Sequence, residues 1–166
     1  MDKLHGQNAA KKISTNAKTR GTILHSIIHD FWKNKQVDDN NQWWTQIKPF
    51  IKSIPPDQVK LFEKPLYFDG LQPYAGTPDL ICNIDNALTV VDFKTSDRLK
   101  RRAWMESAFI QCAAYAQAYQ AEVTQLAVIC ISPERCQCFY EDDVSKYIDI
   151  WNERLAEFYG IPVKSY

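Results

Sequence analysis

A chain of 166 residues, 45% of them hydrophobic, can bury one core, but it has no apolar run near the roughly 20 residues that a membrane helix needs. Lysine and arginine number 20, as do aspartate and glutamate, so the net charge gives no sign of a nucleic-acid partner, which would have to meet a local basic patch. Five cysteines with no secretory signal ahead of them indicate free thiols, and we expect a soluble cytoplasmic protein with no membrane partner.

Hydrophobic periodicity predicts the elements in chain order. Residues 1–19 carry no hydrophobic period and are expected to form a flexible N-terminal arm before a single domain at 20–166. Helical spacing occurs at 22–35, at 101–120, at 144–158 and, more weakly and interrupted by Pro49, at 40–54. Strand-like runs bounded by turn residues occupy 59–68, 77–84, 88–95, 125–132 and 136–140. Leaving the weaker helix aside, the order αβββαββα predicts an α/β fold with a central mixed β-sheet flanked by helices.

Two aspartates stand where neighbouring strands are predicted to face each other. If the hairpin turns at Asp85-Asn86, Ile81 faces Val90 and Asp79 faces Asp92. Directly opposed side chains have Cβ atoms about 4.5–5.5 Å apart, and like charges there are destabilising unless a positive charge lies between them. A divalent metal ion would supply that charge.

The residues next to this pair suit metal-dependent hydrolysis. Lys94 follows Asp92 by two positions, so the alternation of a strand places both side chains on the same face. Carboxylate and carbonyl oxygens favour Mg²⁺ or Mn²⁺. We therefore predict that Asp79, Asp92 and the carbonyl of Phe93 hold the ion. Lys94 would orient the attacking water or stabilise the charge that develops during phosphodiester hydrolysis.

Four short motifs follow one another along residues 21–119. They are Gly21-Thr22-Ile23-Leu24-His25, Gly76-Thr77-Pro78-Asp79, Asp92-Phe93-Lys94 and Gln111-Cys112-Ala113-Ala114-Tyr115. In this order they resemble the motifs of the PD-(D/E)xK nuclease superfamily and, more narrowly, of its RecB-like exonuclease branch.

The resemblance implies a restriction-endonuclease-like core with Mg²⁺ or Mn²⁺ as cofactor. It implies that His25 is a further metal ligand beside Asp79 and Asp92, and that Lys94 is catalytic. It also implies that Gln111 and Tyr115 steady the active site or the bound strand, and their i, i+4 spacing places them on one helix face. Judged without the family, Tyr115 is a core residue and His25 a structural histidine. His29, one helical turn further on, is an alternative to His25.

The chain departs from the helicase-linked members of this branch, which carry an iron-sulfur cluster. Those members use one cysteine near the first helix and three after the last motif, whereas here no cysteine precedes Cys82. Cys130, Cys136 and Cys138 would supply only three of four ligands. We expect no iron-sulfur cluster and no unwinding activity. In size the chain resembles stand-alone phage and mitochondrial genome-maintenance exonucleases.

A local basic segment follows the second acidic strand. It contains Arg98, Lys100, Arg101 and Arg102, and Trp104 comes directly after it. Such residues can hold the phosphates of a DNA strand while the indole stacks on a base. The alternative is a solvated helix start in which Trp104 belongs to the core.

These observations favour a metal-dependent deoxyribonuclease. We expect an exonuclease that acts on single-stranded DNA or frayed duplex ends in replication, recombination or repair. The alternatives are a structure-selective endonuclease of the same fold and a catalytically inactive nucleic-acid-binding module. A zinc hydrolase built on His25, His29 and an acid ranks last, because no third histidine or cysteine stands at a suitable spacing.

Overall fold

A computed structural model describes the backbone from Asp2 to Ile161 and the side chains from Thr15 to Ile161. The helices are α1 (Asp2–Trp32), α2 (Gln42–Lys52), α3 (Glu106–Tyr119) and α4 (Val144–Phe158). The strands are β1 (Val59–Phe62), β2 (Leu66–Phe68), β3 (Tyr74–Gly76), β4 (Leu80–Ile84), β5 (Ala87–Thr95), β6 (Gln125–Ile131) and β7 (Cys136–Glu141). Residue 1 and residues 162–166, the ends of the predicted arm and domain, lie outside the described part of the chain.

The central sheet has five strands in the order β1-β4-β5-β6-β7. β4 pairs antiparallel with both β1 and β5. β5 and β6 run parallel, because the amide of Thr124 donates to Leu88 near their starts and the amide of Ser96 donates to Ile131 near their ends. The connection between these parallel strands contains α3, as parallel pairing requires a long crossover. The sheet is therefore mixed and the fold is α/β with flanking helices, as predicted.

One predicted strand is divided and one observed strand is absent from the prediction. The run at 59–68 forms β1 and β2, which belong to different sheets. The break lies at Glu63, whose φ of 44° does not continue a strand, and Pro65 follows shortly after. β2 pairs instead with the three-residue strand β3, which is too short to show a period of two.

Helix α2 continues through Pro49, where the sequence predicts an interruption. A proline inside a helix costs about 3 kcal/mol. Burial of Trp43, Trp44, Ile47 and Ile51 along one face offsets this cost. The helix starts at an Asn41 cap, whose side-chain oxygen accepts hydrogen bonds from the amides of Trp43 (2.9 Å) and Trp44 (3.3 Å).

Helix α1 begins at Asp2, inside the segment 1–19 for which the sequence predicts a flexible arm. The added residues contain no proline and include several alanines and lysines, which form helix without any hydrophobic period. The buried stripe starts later and includes Leu24 and Ile28. No described helix, this long one included, is apolar over enough of its length to cross a membrane.

Backbone contacts divide the chain into two compact units. The first unit contains the residues up to Lys52 together with Phe93–Lys100 and Cys130–Gln137. Within it α1 packs against α2, and the ring centroids of Phe31 and Trp44 lie 5.0 Å apart. The prediction of a single domain stays a prediction.

The second unit contains Ser53–Asp92, Arg101–Ile129 and the residues from Cys138 onward. Within it α3 packs against α4 and against β2. The alanines of α3 that are buried are Ala108, Ala113, Ala114, Ala116 and Ala118. Because these side chains are small, the helix comes close to the sheet, and the sulfur of Cys112 lies 3.8 Å from the carbonyl oxygen of Ala127 in β6.

Candidate active site

The hairpin of β4 and β5 has the register that the sequence predicts. Ile81 pairs with Val90, and the last pair is Leu80 with Val91. The next position in each chain is Asp79 on one side and Asp92 on the other. Directly opposed residues of an antiparallel pair project to the same face. Continued by one pair beyond the end of β4, this register would place Asp79 opposite Asp92, and that facing pair stays a prediction.

The turn that sets this register is built from Asp85 and Asn86. Both residues have positive φ values, 48° and 69°. Two-residue hairpin loops favour this conformation because it matches the twist of the strands, and aspartate and asparagine tolerate it best after glycine. A loop of fixed length leaves one way to pair the strands.

Asp92 is buried within an apolar strand. Its side chain is 4% exposed, and its neighbours Val90, Val91 and Phe93 are also buried. Asp79 is partly buried and follows Pro78, which is buried. Placing a carboxylate in such surroundings costs free energy unless its charge is compensated. The burial of Asp92 therefore calls for compensation of its charge by neighbouring groups or by a bound cation.

A tyrosine on α3 lies within the electrostatic influence of both carboxylates. Burial is the main cause that raises the pKa of the Tyr115 hydroxyl, a hydrogen bond from Gln111 opposes it, and the negative charges of Asp92 and Asp79 raise that pKa further. The side-chain amide nitrogen of Gln111 donates to the Tyr115 oxygen at 3.0 Å. Asp79, Asp92, Gln111 and Tyr115 thus form one polar cluster within the second unit.

Gly76 makes room for this tyrosine. It ends β3, three residues before Asp79. A Cβ at this position would lie 2.6 Å from Cε1 of Tyr115, closer than real Cβ contacts. The glycine of the Gly76-Thr77-Pro78-Asp79 motif therefore allows the Tyr115 ring to lie against the β3 backbone.

Three of the residues predicted to bind the metal or to catalyse belong to the first unit. Phe93 is buried, and its ring centroid lies 6.2 Å from that of Phe50. Lys94 is partly buried near the end of β5. His25 is partly buried on α1. Among the described residues there is no group of three or more His, Cys, Asp or Glu side chains arranged to hold a metal, so the role of His25 stays a prediction.

The basic segment does not act as a uniform patch. The guanidinium of Arg102 donates to the carboxylate of Glu141 and to the carbonyl of Tyr140, both at 2.6 Å. Arg101 instead lies over the ring of Trp104, with 5.8 Å from Cζ to the centroid. Trp104 is 51% exposed, so the alternative that it belongs to the core is wrong. In the first unit Arg98 is exposed and Lys100 is partly buried.

Sequence reasoning missed a cavity beside Tyr115. Its volume is about 210 Å³, and Tyr74, Gln111, Tyr115, Trp151 and Arg154 are among its lining residues. The available signal was the spacing of Trp151 and Arg154 on α4, which places them on one helix face. Because β3 was not predicted, the sequence did not indicate that Tyr74 lies beside this face of α4.

Comparisons with known proteins add little to this picture. No protein-family model matches the chain, and no curated protein matches it. Among solved structures, it is similar to the one titled "Crystal structure of SSO0001", with 22% identity and a TM-score of 0.41 over 58% of this chain. The chain spans about half of that protein's length, 47%.

Proposed function

We propose that this chain is a metal-dependent deoxyribonuclease with a restriction-endonuclease-like core, acting as an exonuclease on single-stranded DNA or frayed duplex ends. The observation that supports it best is the register of β4 and β5, which ends at Leu80 and Val91 and, continued by one pair, would make Asp79 and Asp92 face each other. The negative charges of Asp79 and Asp92 both contribute to the raised pKa of Tyr115, which supports a cluster of these three side chains.

The donor set fits Mg²⁺ or Mn²⁺. These ions prefer oxygen ligands, and Mg²⁺ is commonly bound through one or two carboxylates, with waters and substrate phosphate completing its shell. Asp79 and Asp92 supply the two carboxylates. The further ligands would be the carbonyl of Phe93, expected from its place beside Asp92, and the side chain of His25, which the family resemblance implies. When bound, the ion would polarise a phosphate oxygen and lower the pKa of a bound water.

The chain's own residues then have separate tasks. Asp79 and Asp92 hold the ion. Lys94 orients the attacking water or offsets the negative charge that develops as the water oxygen attacks phosphorus and the P–O bond to the leaving group breaks. Gln111 fixes the direction of the Tyr115 hydroxyl through their 3.0 Å hydrogen bond. Burial and the nearby carboxylate charges raise the pKa of that hydroxyl, so it keeps its proton and can donate a hydrogen bond to the bound strand.

Exposed aromatic and basic groups support a preference for single strands. Trp104 offers an exposed ring, with the Arg101 guanidinium over it. Bases stack on such rings in a sequence-tolerant way, worth roughly 1–3 kcal/mol each. Arg98 and Lys100 are proposed to contact phosphates along the same strand.

The direct test is degradation of end-labelled single-stranded DNA with Mg²⁺, Mn²⁺ or EDTA. We expect degradation with either metal, none in EDTA, and a loss of at least about 100-fold in Lys94→Ala. Lys64→Ala, which changes an exposed lysine of the second unit, is the matched control and should retain wild-type activity. Equal activity of Lys94→Ala and wild type would contradict the proposal.

A circular single-stranded substrate separates the two nuclease classes. An exonuclease leaves the circle intact and degrades the same DNA after linearisation, whereas an endonuclease cuts both. DNA binding without any metal-dependent cleavage would indicate the inactive binding module instead.

A further inference from the structure

The cavity next to Tyr115 has walls from three elements of the second unit. β3 contributes Tyr74 and Gly76, and α4 contributes Trp151 and Arg154. The α3 wall consists of positions that share one helix face, namely Ser107, Ile110, Gln111, Ala114 and Tyr115. At about 210 Å³, the cavity is smaller than the roughly 300–1,000 Å³ of pockets for drug-sized ligands. It matches a single flat ring system.

Its aromatic wall is held rigidly. The Tyr74 hydroxyl donates to the carbonyl of Ala114 (2.8 Å) and lies 2.9 Å from the side-chain oxygen of Gln117. The Tyr74 ring stacks on Phe68 with centroids 5.0 Å apart, and the Trp151 ring meets it edge to face at 5.1 Å. A ligand therefore meets a preorganised aromatic surface and loses little affinity to ordering it.

Tyr115 connects this cavity with the carboxylate pair. Its side chain lines the cavity, and the charges of Asp92 and Asp79 act on its hydroxyl. A group in the cavity is thus one side chain away from the position proposed for the scissile phosphate. In a nucleotide, one sugar separates the base from the phosphate. This base-to-phosphate distance is of the same order as the distance from the cavity to the proposed phosphate position.

From this arrangement we infer that the cavity binds the base of a terminal nucleotide of the DNA strand, with Arg154 contacting a phosphate of that strand. The aromatic wall suits a base, and the positive charge of Arg154 suits a phosphate. This inference rests on the proposed function and specifies its substrate. The cavity would bind the last nucleotide of a strand, with its base, and not a nucleotide within the strand.

Binding of short oligothymidylates in EDTA, followed by fluorescence anisotropy with an internal label, tests the inference without turnover. Two further oligonucleotides lack the base of the last nucleotide at the 5′ or the 3′ end. We expect one of them to bind wild type about tenfold more weakly than the complete oligonucleotide. Equal binding of all three would overturn the inference.

Two variants assign this effect to the cavity. Ser107→Trp places an indole at the exposed rim and should abolish the preference for the terminal base. Glu153→Trp adds the same side chain at an exposed position of α4 that does not line the cavity, and should keep the preference. A preference that survives Ser107→Trp unchanged would place the base elsewhere and overturn the inference.

Arg154→Gln provides a second route that does not depend on a bulky insertion. We expect severalfold weaker binding of the complete oligonucleotide, while Lys146→Gln, the same charge change in the first turn of α4, should bind as wild type does. If both variants bind like wild type, Arg154 does not contact the strand and that part of the inference is wrong.

The same oligonucleotides with Mn²⁺ distinguish the two proposals. A terminal-base preference in binding without cleavage would retain the cavity inference and overturn the nuclease. Metal-dependent cleavage with no terminal-base preference would retain the nuclease and overturn the cavity inference. If no oligonucleotide binds at all, both are overturned.

Discussion

Gly76 and Tyr115 lie so close that a Cβ on the glycine would stand 2.6 Å from Cε1 of the tyrosine ring. This contact places the tyrosine of one motif on the backbone that leads to Asp79. It joins two motifs that are far apart in the sequence, and it explains in steric terms why a glycine stands there.

Gly76→Ala should therefore destabilise the protein. The added methyl group forces the Tyr115 ring or the β3 backbone to move, which typically costs about 1–3 kcal/mol of the free energy of unfolding. Gly21→Ala is the matched control, because nothing lies within 4 Å of that Cβ and alanine in a helix is favoured over glycine by about 0.5–1 kcal/mol. Urea unfolding of both variants measures the difference, and equal stabilities of Gly76→Ala and wild type would contradict the steric role.

Asp92→Asn should remove the response of the protein to metal. With wild type we expect Mn²⁺ to raise the melting temperature, since an ion at 100 times its dissociation constant stabilises the folded state by about 2.7 kcal/mol. The variant lacks one of two carboxylates and should show little shift. Asp85→Asn makes the same change at the exposed turn of the same hairpin and should keep the full shift. A shift of equal size in Asp92→Asn would place the ion elsewhere.

The register of that hairpin could be predicted because a local signal determines it. Asp85 and Asn86 are residues that tolerate positive φ, and their two-residue loop leaves one pairing of the strands. The prediction that Asp79 faces Asp92 follows from this turn alone. The same reasoning applies to the helical stripes and to most of the strands, where hydrophobic period and turn residues agree.

The rest depends on contacts between residues that are distant in the sequence. β3 has three residues, and its pairing with β2 exists only because the chain breaks at Glu63. Without β3, the cavity around Tyr74 could not be foreseen. The pair formed by Arg102 and Glu141 is likewise tertiary, since a run of arginines gives no sign of which one will meet a carboxylate.

Tyr74 should make stability fall with pH at alkaline values. Burial raises the pKa of Tyr74 to about 12 in the folded protein, from an ordinary value near 10. Between these values the unfolded chain releases the phenol proton and the folded protein retains it, so this contribution is complete below about pH 10 and is lost towards pH 12.

The measurement is the free energy of unfolding between pH 9 and pH 11.5, compared in wild type and Tyr74→Phe. The variant loses the hydrogen bond to Ala114 and should be less stable at pH 9, but the difference should narrow as the pH rises. Tyr67→Phe, which removes a hydroxyl from a side chain that is 69% exposed, is the control. A difference that stays constant across this range would contradict a raised pKa at Tyr74.

Arg101 and Arg102 are adjacent in sequence, but their substitution should affect different properties: stability for Arg102 and DNA affinity for Arg101. Arg102→Gln breaks the 2.6 Å bonds to Glu141 and Tyr140, and should lower the free energy of unfolding by about 1 kcal/mol with little change in DNA affinity. Arg101→Gln should leave the free energy of unfolding nearly unchanged and weaken single-stranded DNA binding severalfold. The slope of log binding constant against log salt concentration should become about 0.7 less steep, as expected for one lost phosphate contact. Anisotropy titrations at several salt concentrations with urea unfolding measure both effects. If Arg102→Gln reduced the salt dependence as much as Arg101→Gln does, the guanidinium of Arg102 would have to leave Glu141 when DNA binds.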